Sequence, residues 1–187
     1  VTSGRRPTEA EFALIEQVAP KIKAAHPLKL CFSPGMLDQQ QAERLKRCGI
    51  DRINHNLNTS EAFYPKICTS HTYQERLDTL EAVRSAGLEI CSGGIVGMGE
   101  TPADVVELAL RLGRLAVEAL PINFFIPIPG TPLENVDVLT PTYCLKVLVL
   151  FRMANPKCEL RMAAGRERSL GVLQPDNGMP ALSREGS

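Results

Sequence analysis

Two hydrophobic periods take turns along this chain. Residues 8–25, TEAEFALIEQVAPKIKAA, place Phe12, Ile15, Val18 and Ile22 on one helical stripe behind the capping pair Thr8 and Glu11. LKLCFS then reads as a short apolar strand, and DQQQAERLKRCG as a helix capped by Asp38 and stopped by Gly49. The exchange continues with strand DRINHN, a helix over 72–86 ended by Gly87, strand LEICSGGIVG, and a helix over 102–118 opened by Pro102. Strand PINFFIPI, a helix over 140–154 and strand ELRMAAG complete it. Five strands alternating with helices predict an α/β fold of parallel units. The pattern fits either an open doubly wound sheet or a partial (β/α) TIM-type barrel. Polar residues at strand ends favour the barrel, whose sites are built there: Ser33, Asn56, Asn58, Ser92 and Arg161. Asn123 sits inside its strand, where it can point inward. One domain is expected over residues 1–174, followed by an irregular, turn-rich tail over 175–187.

Bulk properties exclude several classes. The 187 residues carry 21 basic and 21 acidic side chains, so no charge footprint points to nucleic acid or an anionic membrane. No apolar run approaches the roughly 20 residues of a membrane span. The opening VTSGRRPTEAEF lacks the apolar core of a signal peptide. Six widely spread cysteines include no CxxC pair, which fits a cytoplasmic protein without a disulfide framework. Cys48, Cys144 and Cys158 read as small core residues. The chain begins at Val1 rather than Met, and it reads as a fragment.

Three stretches bear on chemistry, each with an ordinary alternative. GGIVGMGE, residues 93–100, either lets a ligand approach the backbone, with Ile95 against a flat base, or forms a tight turn with a bulge. It is not a GxGxxG dinucleotide loop. In NHNLNTS, asparagine amides suit ribose hydroxyls or a urea-like group, or else make an Asx-turn and helix cap. His55 alternates away from Asn54 and Asn56 and reads as a core histidine. Cys31 and Cys91, on separate strands, suit iron–sulfur ligation if they face one cavity. Arg161 needs a partner if it faces inward, and an Arg–Glu structural pair is the plain reading.

Together, NHNLNTS, TYQERLDTLEAVRSAG, CSGGIVGMGET, PINFFIPIPGTPL and LRMAAGRE resemble the biotin synthase family of radical S-adenosylmethionine enzymes, in order and spacing, over about residues 1–174. The resemblance implies a β/α barrel that inserts sulfur into dethiobiotin. It implies that Asn56 and Asn58 meet the S-adenosylmethionine ribose, with Asn56 also touching substrate. Asn58 is an aspartate in many members. Arg76 is implied for the methionine carboxylate, Ile95 for adenine and Asn123 for the ureido ring. Cys31, Cys91 and Arg161 are implied as ligands of the auxiliary iron–sulfur cluster, of 2Fe–2S or variant type.

The family's CxxxCxxC, which holds its 4Fe–4S cluster, does not occur in these residues. Another family cysteine falls near Thr2 or Ser3, and Cys68 is a candidate for the missing thiolate. The family's last barrel strand is also not matched after Gln174. Dethiobiotin, an electron donor such as flavodoxin or ferredoxin, and a homodimer are the implied partners. The isolated chain is expected to catalyse nothing. Alternatives are a hydrogenase-maturase-like enzyme of the same barrel type and a non-catalytic binding module. A phosphosugar barrel enzyme lacks a basic residue at its late glycine turn.

Overall fold

A computed structural model describes residues 5–171. In chain order its elements are α1 (Glu9–Ala25), β1 (Cys31–Phe32), α2 (Gln39–Arg47), β2 (Arg52–Asn54), α3 (Tyr64–Ile67), α4 (Tyr73–Ser85) and β3 (Glu89–Cys91). β4 (Gly94–Val96), α5 (Pro102–Arg114), β5 (Ala119–Phe124), α6 (Pro141–Ala154), β6 (Glu159–Met162) and α7 (Arg166–Leu170) follow. The described residues divide into two compact units, one of residues 5–56 with His71–Cys91, the other of Leu57–Ser70 with residues 92–171.

In the first unit β1, β2 and β3 are parallel, with rungs Cys31–Arg52–Glu89 and Phe32–Ile53–Ile90 and then the pair Asn54–Cys91. Parallel partners point to one face, so the middle rung defines the opposite, apolar face. Phe32, Ile53 and Ile90 are buried, as are Ala42 and Leu45 of α2 and Leu80 and Val83 of α4. Apart from Ala42, each of these side chains contributes about 1.5–3 kcal/mol by leaving water. All three long helices start on capping boxes, Thr8 with Glu11, Asp38 with Gln41 and Thr72 with Glu75. Arg44 ties α2 to α1: its guanidinium lies 4.5 Å from the centre of the Phe12 ring and bonds Glu9 and Glu16.

In the second unit β5 is the middle of a parallel trio with β4 and β6 on its two sides. Its sequence ALPINF is buried throughout except at Asn123, as expected of a parallel strand covered on both faces. Leu108, Ala109 and Leu112 of α5 and Val147 and Phe151 of α6 are buried. The two helices meet where a Cβ on Gly113 would lie 2.8 Å from the Ala154 carbonyl. Asn155, closing α6, donates to the Ala109 and Phe151 carbonyls.

The expected helices are all present. The one expected over 102–118 stops at Arg114, because Leu115 caps it and Ala116 takes a φ of 49°. The single expected strand LEICSGGIVG is two strands, β3 and β4, broken at Ser92 and Gly93. Gly93 runs against β5 so closely that a Cβ would lie 1.8 Å from the Pro121 carbonyl oxygen, the close approach that a strand glycine often marks. Helices α3 and α7 carry no capping signal, since Phe63 and Gly165 make no side-chain cap bond. Thr2, Ser3 and the tail over 175–187 lie outside the described residues.

Candidate functional site

The first unit carries Cys31, Asn56, Arg76 and Cys91. Cys31 and Cys91 share the polar face of the sheet but not a rung. Cys31 stands exposed at the start of β1 beside Arg52, and Cys91 is buried at the end of β3 beside Asn54. Two residues of strand separate the two levels, about 6.6 Å. Arg52 and Glu89 fill the Cys31 rung with an ion pair at 2.6 Å, and Lys29 reaches the same carboxylate at 2.6 Å. These cations hold the Glu89 carboxyl below its ordinary pKa.

Past β2, Arg76 of α4 gathers the asparagine segment. Its Nη1 donates to the Asn56 carbonyl at 2.7 Å, and its Nη2 lies 2.9 Å from His71 Nε2. A guanidinium only donates, so His71 Nε2 accepts and the ring is neutral. Burial and then the Arg76 charge push the His71 pKa down. His55 is buried as expected, on the other side from the asparagines, and its backbone N–H continues the ladder to the Cys91 carbonyl at 2.9 Å. Burial first, and then Arg76, lower its pKa to about 3. Its Nε2 has no hydrogen-bond partner among the described residues.

The second unit carries Asn58, Cys68, Ile95, Asn123 and Arg161. Asn58 takes a left-handed φ of 72°, which asparagine tolerates better than most residues. Its N–H donates to the Gly93 carbonyl at 3.1 Å, and its carbonyl accepts from the Ile95 N–H at 2.8 Å. Ile95 and Asn123 are register partners. Each is the one half-buried residue of an otherwise buried strand. Asn123 donates to the Gly94 carbonyl and accepts from the Ala164 N–H, both at 3.1 Å. Its amide therefore links β4 to the segment after β6.

GGIVGMGE forms a closed turn. Glu100 accepts from the Gly97 and Met98 N–H groups at 2.6 and 2.8 Å, and Gly97 and Gly99 have φ of 102° and 97°. Arg161 stands on the Asn123 face one pleat earlier, opposite Pro121. It pairs with Glu159 of its own strand at 2.6 Å, which is the plain Arg–Glu reading of that residue. Cys68 closes α3, its Sγ 3.6 Å from Ser70 Oγ.

Among the described residues, no group of three or more His, Cys, Asp or Glu is placed to hold a metal ion. The donors do fit an iron–sulfur cluster in kind. Cys31 and Cys91 are thiols on one sheet face, and Cys91 Sγ already accepts a hydrogen bond from the Asn54 amide at 3.6 Å. Sequence reasoning did not single out Asn54 as a site residue. The available signal was its period of two with Asn56, which puts both on the face opposite His55.

Residues 1–112 match the Radical SAM superfamily, and the chain belongs to that superfamily. Residues 121–179 match the Biotin and Thiamin Synthesis associated domain. The chain is similar to the biotin synthase of Rhodopirellula baltica, 52% identical over 175 residues, covering 94% of this chain and 49% of that protein. It is 53% identical over 178 residues to the biotin synthase of Thermus thermophilus, covering 94% of this chain and 54% of that protein. The chain thus spans about half the length of the curated relatives it matches. The fold is shared with methylornithine synthase, at a TM-score of 0.71 and 18% identity, covering 79% of this chain and 44% of that one. It is also shared with the FeFe-hydrogenase maturase of Carboxydothermus hydrogenoformans, at 0.72 and 17%, covering 86% and 40%. These likenesses agree with the parallel, partial-barrel α/β class expected from the alternating periods.

Proposed function

We propose that this chain is part of a biotin synthase, which inserts sulfur into dethiobiotin to form biotin. The observation that carries the reading is the identity to two biotin synthases at 52% and 53% over 94% of the chain. The maturase likeness, at 17% identity, is one of fold alone and does not favour that chemistry. In this reading, residues 1–174 form one barrel domain.

When bound, S-adenosylmethionine with its 4Fe–4S cluster supplies a 5′-deoxyadenosyl radical, and the auxiliary cluster supplies sulfur. The residues of this chain bind and orient. Asn56 and Asn58 present amides to the ribose, Arg76 faces the methionine carboxylate, and Ile95 packs on adenine. Asn123 commits one amide hydrogen and one lone pair to backbone. An amide has two of each, so the second pair suits the donor and acceptor of a ureido ring. Asn56 also meets the substrate. Cys31 and Cys91 supply thiolates to the auxiliary cluster, a 2Fe–2S or variant type, with Arg161 as a further ligand once released from Glu159. Cys68 supplies another thiolate. A flavodoxin- or ferredoxin-type donor, a homodimer and a cytoplasmic setting complete the reading. For the described residues, no helix is long and apolar enough to cross a membrane.

The test is complementation of a biotin auxotroph by this coding sequence joined to a CxxxCxxC-bearing segment. Growth on dethiobiotin is expected, and its loss on Asn123→Ala. Absence of growth with folded, cluster-loaded protein would sink the proposal. Cys68→Ala in the same protein is expected to lower auxiliary-cluster iron, and unchanged iron would remove Cys68 from the ligand set.

A further inference from the structure

Asn54 and Cys91 are partners in the β2–β3 ladder. Parallel partners stand about 4.8 Å apart with side chains on one face. The Asn54 amide Nδ2 donates to Cys91 Sγ at 3.6 Å. Cys91 is 2% exposed, so water hardly competes for that sulfur. The opposite face is closed to the amide, because Ile53 and Ile90 are 0% and 1% exposed there. The preceding rung is occupied by the Arg52–Glu89 ion pair. The ladder therefore aims a polar side chain at a sulfur that, as a mere core thiol, an apolar neighbour would pack against equally well.

We infer that Asn54 is a positioning residue for Cys91 as an iron–sulfur ligand, its amide N–H bonding the ligand sulfur. The inference rests on the ligand set proposed above and goes beyond it. A hydrogen bond to a ligand thiolate draws electron density from the sulfur and stabilises the more negative, reduced cluster, so it raises the reduction potential. It also holds the sulfur in one rotamer before the cluster arrives. Asn54 is thereby an outer partner of the sort that metal sites keep around their ligands.

The experiment uses the complete, cluster-reconstituted protein. The auxiliary-cluster midpoint potential is measured by dye-mediated titration, with iron content and the Fe–S(Cys) stretching bands alongside. Asn54→Leu keeps the approximate shape and removes the donor, and Asn54→Asp keeps the shape and replaces the donor with an acceptor. Both are expected to lower the midpoint and move the stretching bands, Asn54→Asp more strongly. An unchanged midpoint and unchanged bands at full iron content would overturn the inference. Loss of the auxiliary cluster in both variants, with the fold and the radical cluster retained, supports it, because the amide then holds the ligand itself. Loss through unfolding of both would overturn it and leave Asn54 an ordinary core residue. Cys91→Ala separates the two levels. If that variant keeps the auxiliary cluster, the ligand set is wrong and the inference falls with it. If it loses the cluster while the Asn54 variants change nothing, the ligand set stands and the inference alone fails.

Discussion

His55 carries a pH signature. Its pKa is about 3 in the folded chain against an ordinary 6.5, so the unfolded chain binds a proton that the folded one refuses. Its stabilising contribution is complete above about pH 6.5 and is lost as pH falls toward 3, by up to about 1.4 kcal/mol per pH unit. His71 is lowered too and acts with the same sign. Asp51 and Glu89 are lowered from 3.8 and 4.5, so their losses begin only at the acid end of that range, below about pH 4.5. Urea midpoints between pH 7.5 and 4.5 should therefore fall with acid, and His55→Leu should flatten most of that fall. Glycines divide by cause. Gly87 has a φ of 71° and open space around its Cβ position, so Gly87→Ala should cost about 1–2 kcal/mol through conformation alone. Gly93→Ala collides with the Pro121 carbonyl and should cost about 3 kcal/mol or more. Equal shifts in melting temperature for the two would contradict this.

Helix starts are the most readable elements, because a cap is local chemistry. Thr8 makes the box expected with Glu11, Asp38 caps α2 as expected, and Thr72 makes a further box with Glu75. The α5 start has a tertiary extension. Asp104 accepts from Thr101 at 2.6 Å and, through its other oxygen, from the buried Ser60 at 2.6 Å. Thr101→Ala should cost about 1 kcal/mol. Asp104→Ala should cost about 2–3 kcal/mol, since it also leaves the Ser60 hydroxyl with one partner fewer in a dry place. Denaturant titration of both variants checks the order. Strand bounds were less readable. The break between β3 and β4 depends on the Pro121 carbonyl, some thirty positions away, and no periodicity in LEICSGGIVG encodes that neighbour.

For the whole molecule, the isolated chain should form no biotin from dethiobiotin, because it contains no CxxxCxxC. Measurable turnover by the purified chain, assayed by mass spectrometry, would contradict that. Among the described residues β1 pairs with β2 alone and β6 with β5 alone, so each leaves an unpaired edge. Open parallel edges invite association, so light scattering from the isolated chain should grow with concentration. The alternation of periods, the capped helices and the asparagine- and glycine-rich segments were determined by the sequence alone, since each depends on residues within one or two turns of chain. Tertiary structure decided that Arg161 pairs with Glu159, that Asn123 spans from Gly94 to Ala164, and that Asn54 meets Cys91. The last two join residues 29 to 41 positions apart. Which side chain faces which across a ladder follows from strand register, and register is set by the burial of all the strands together.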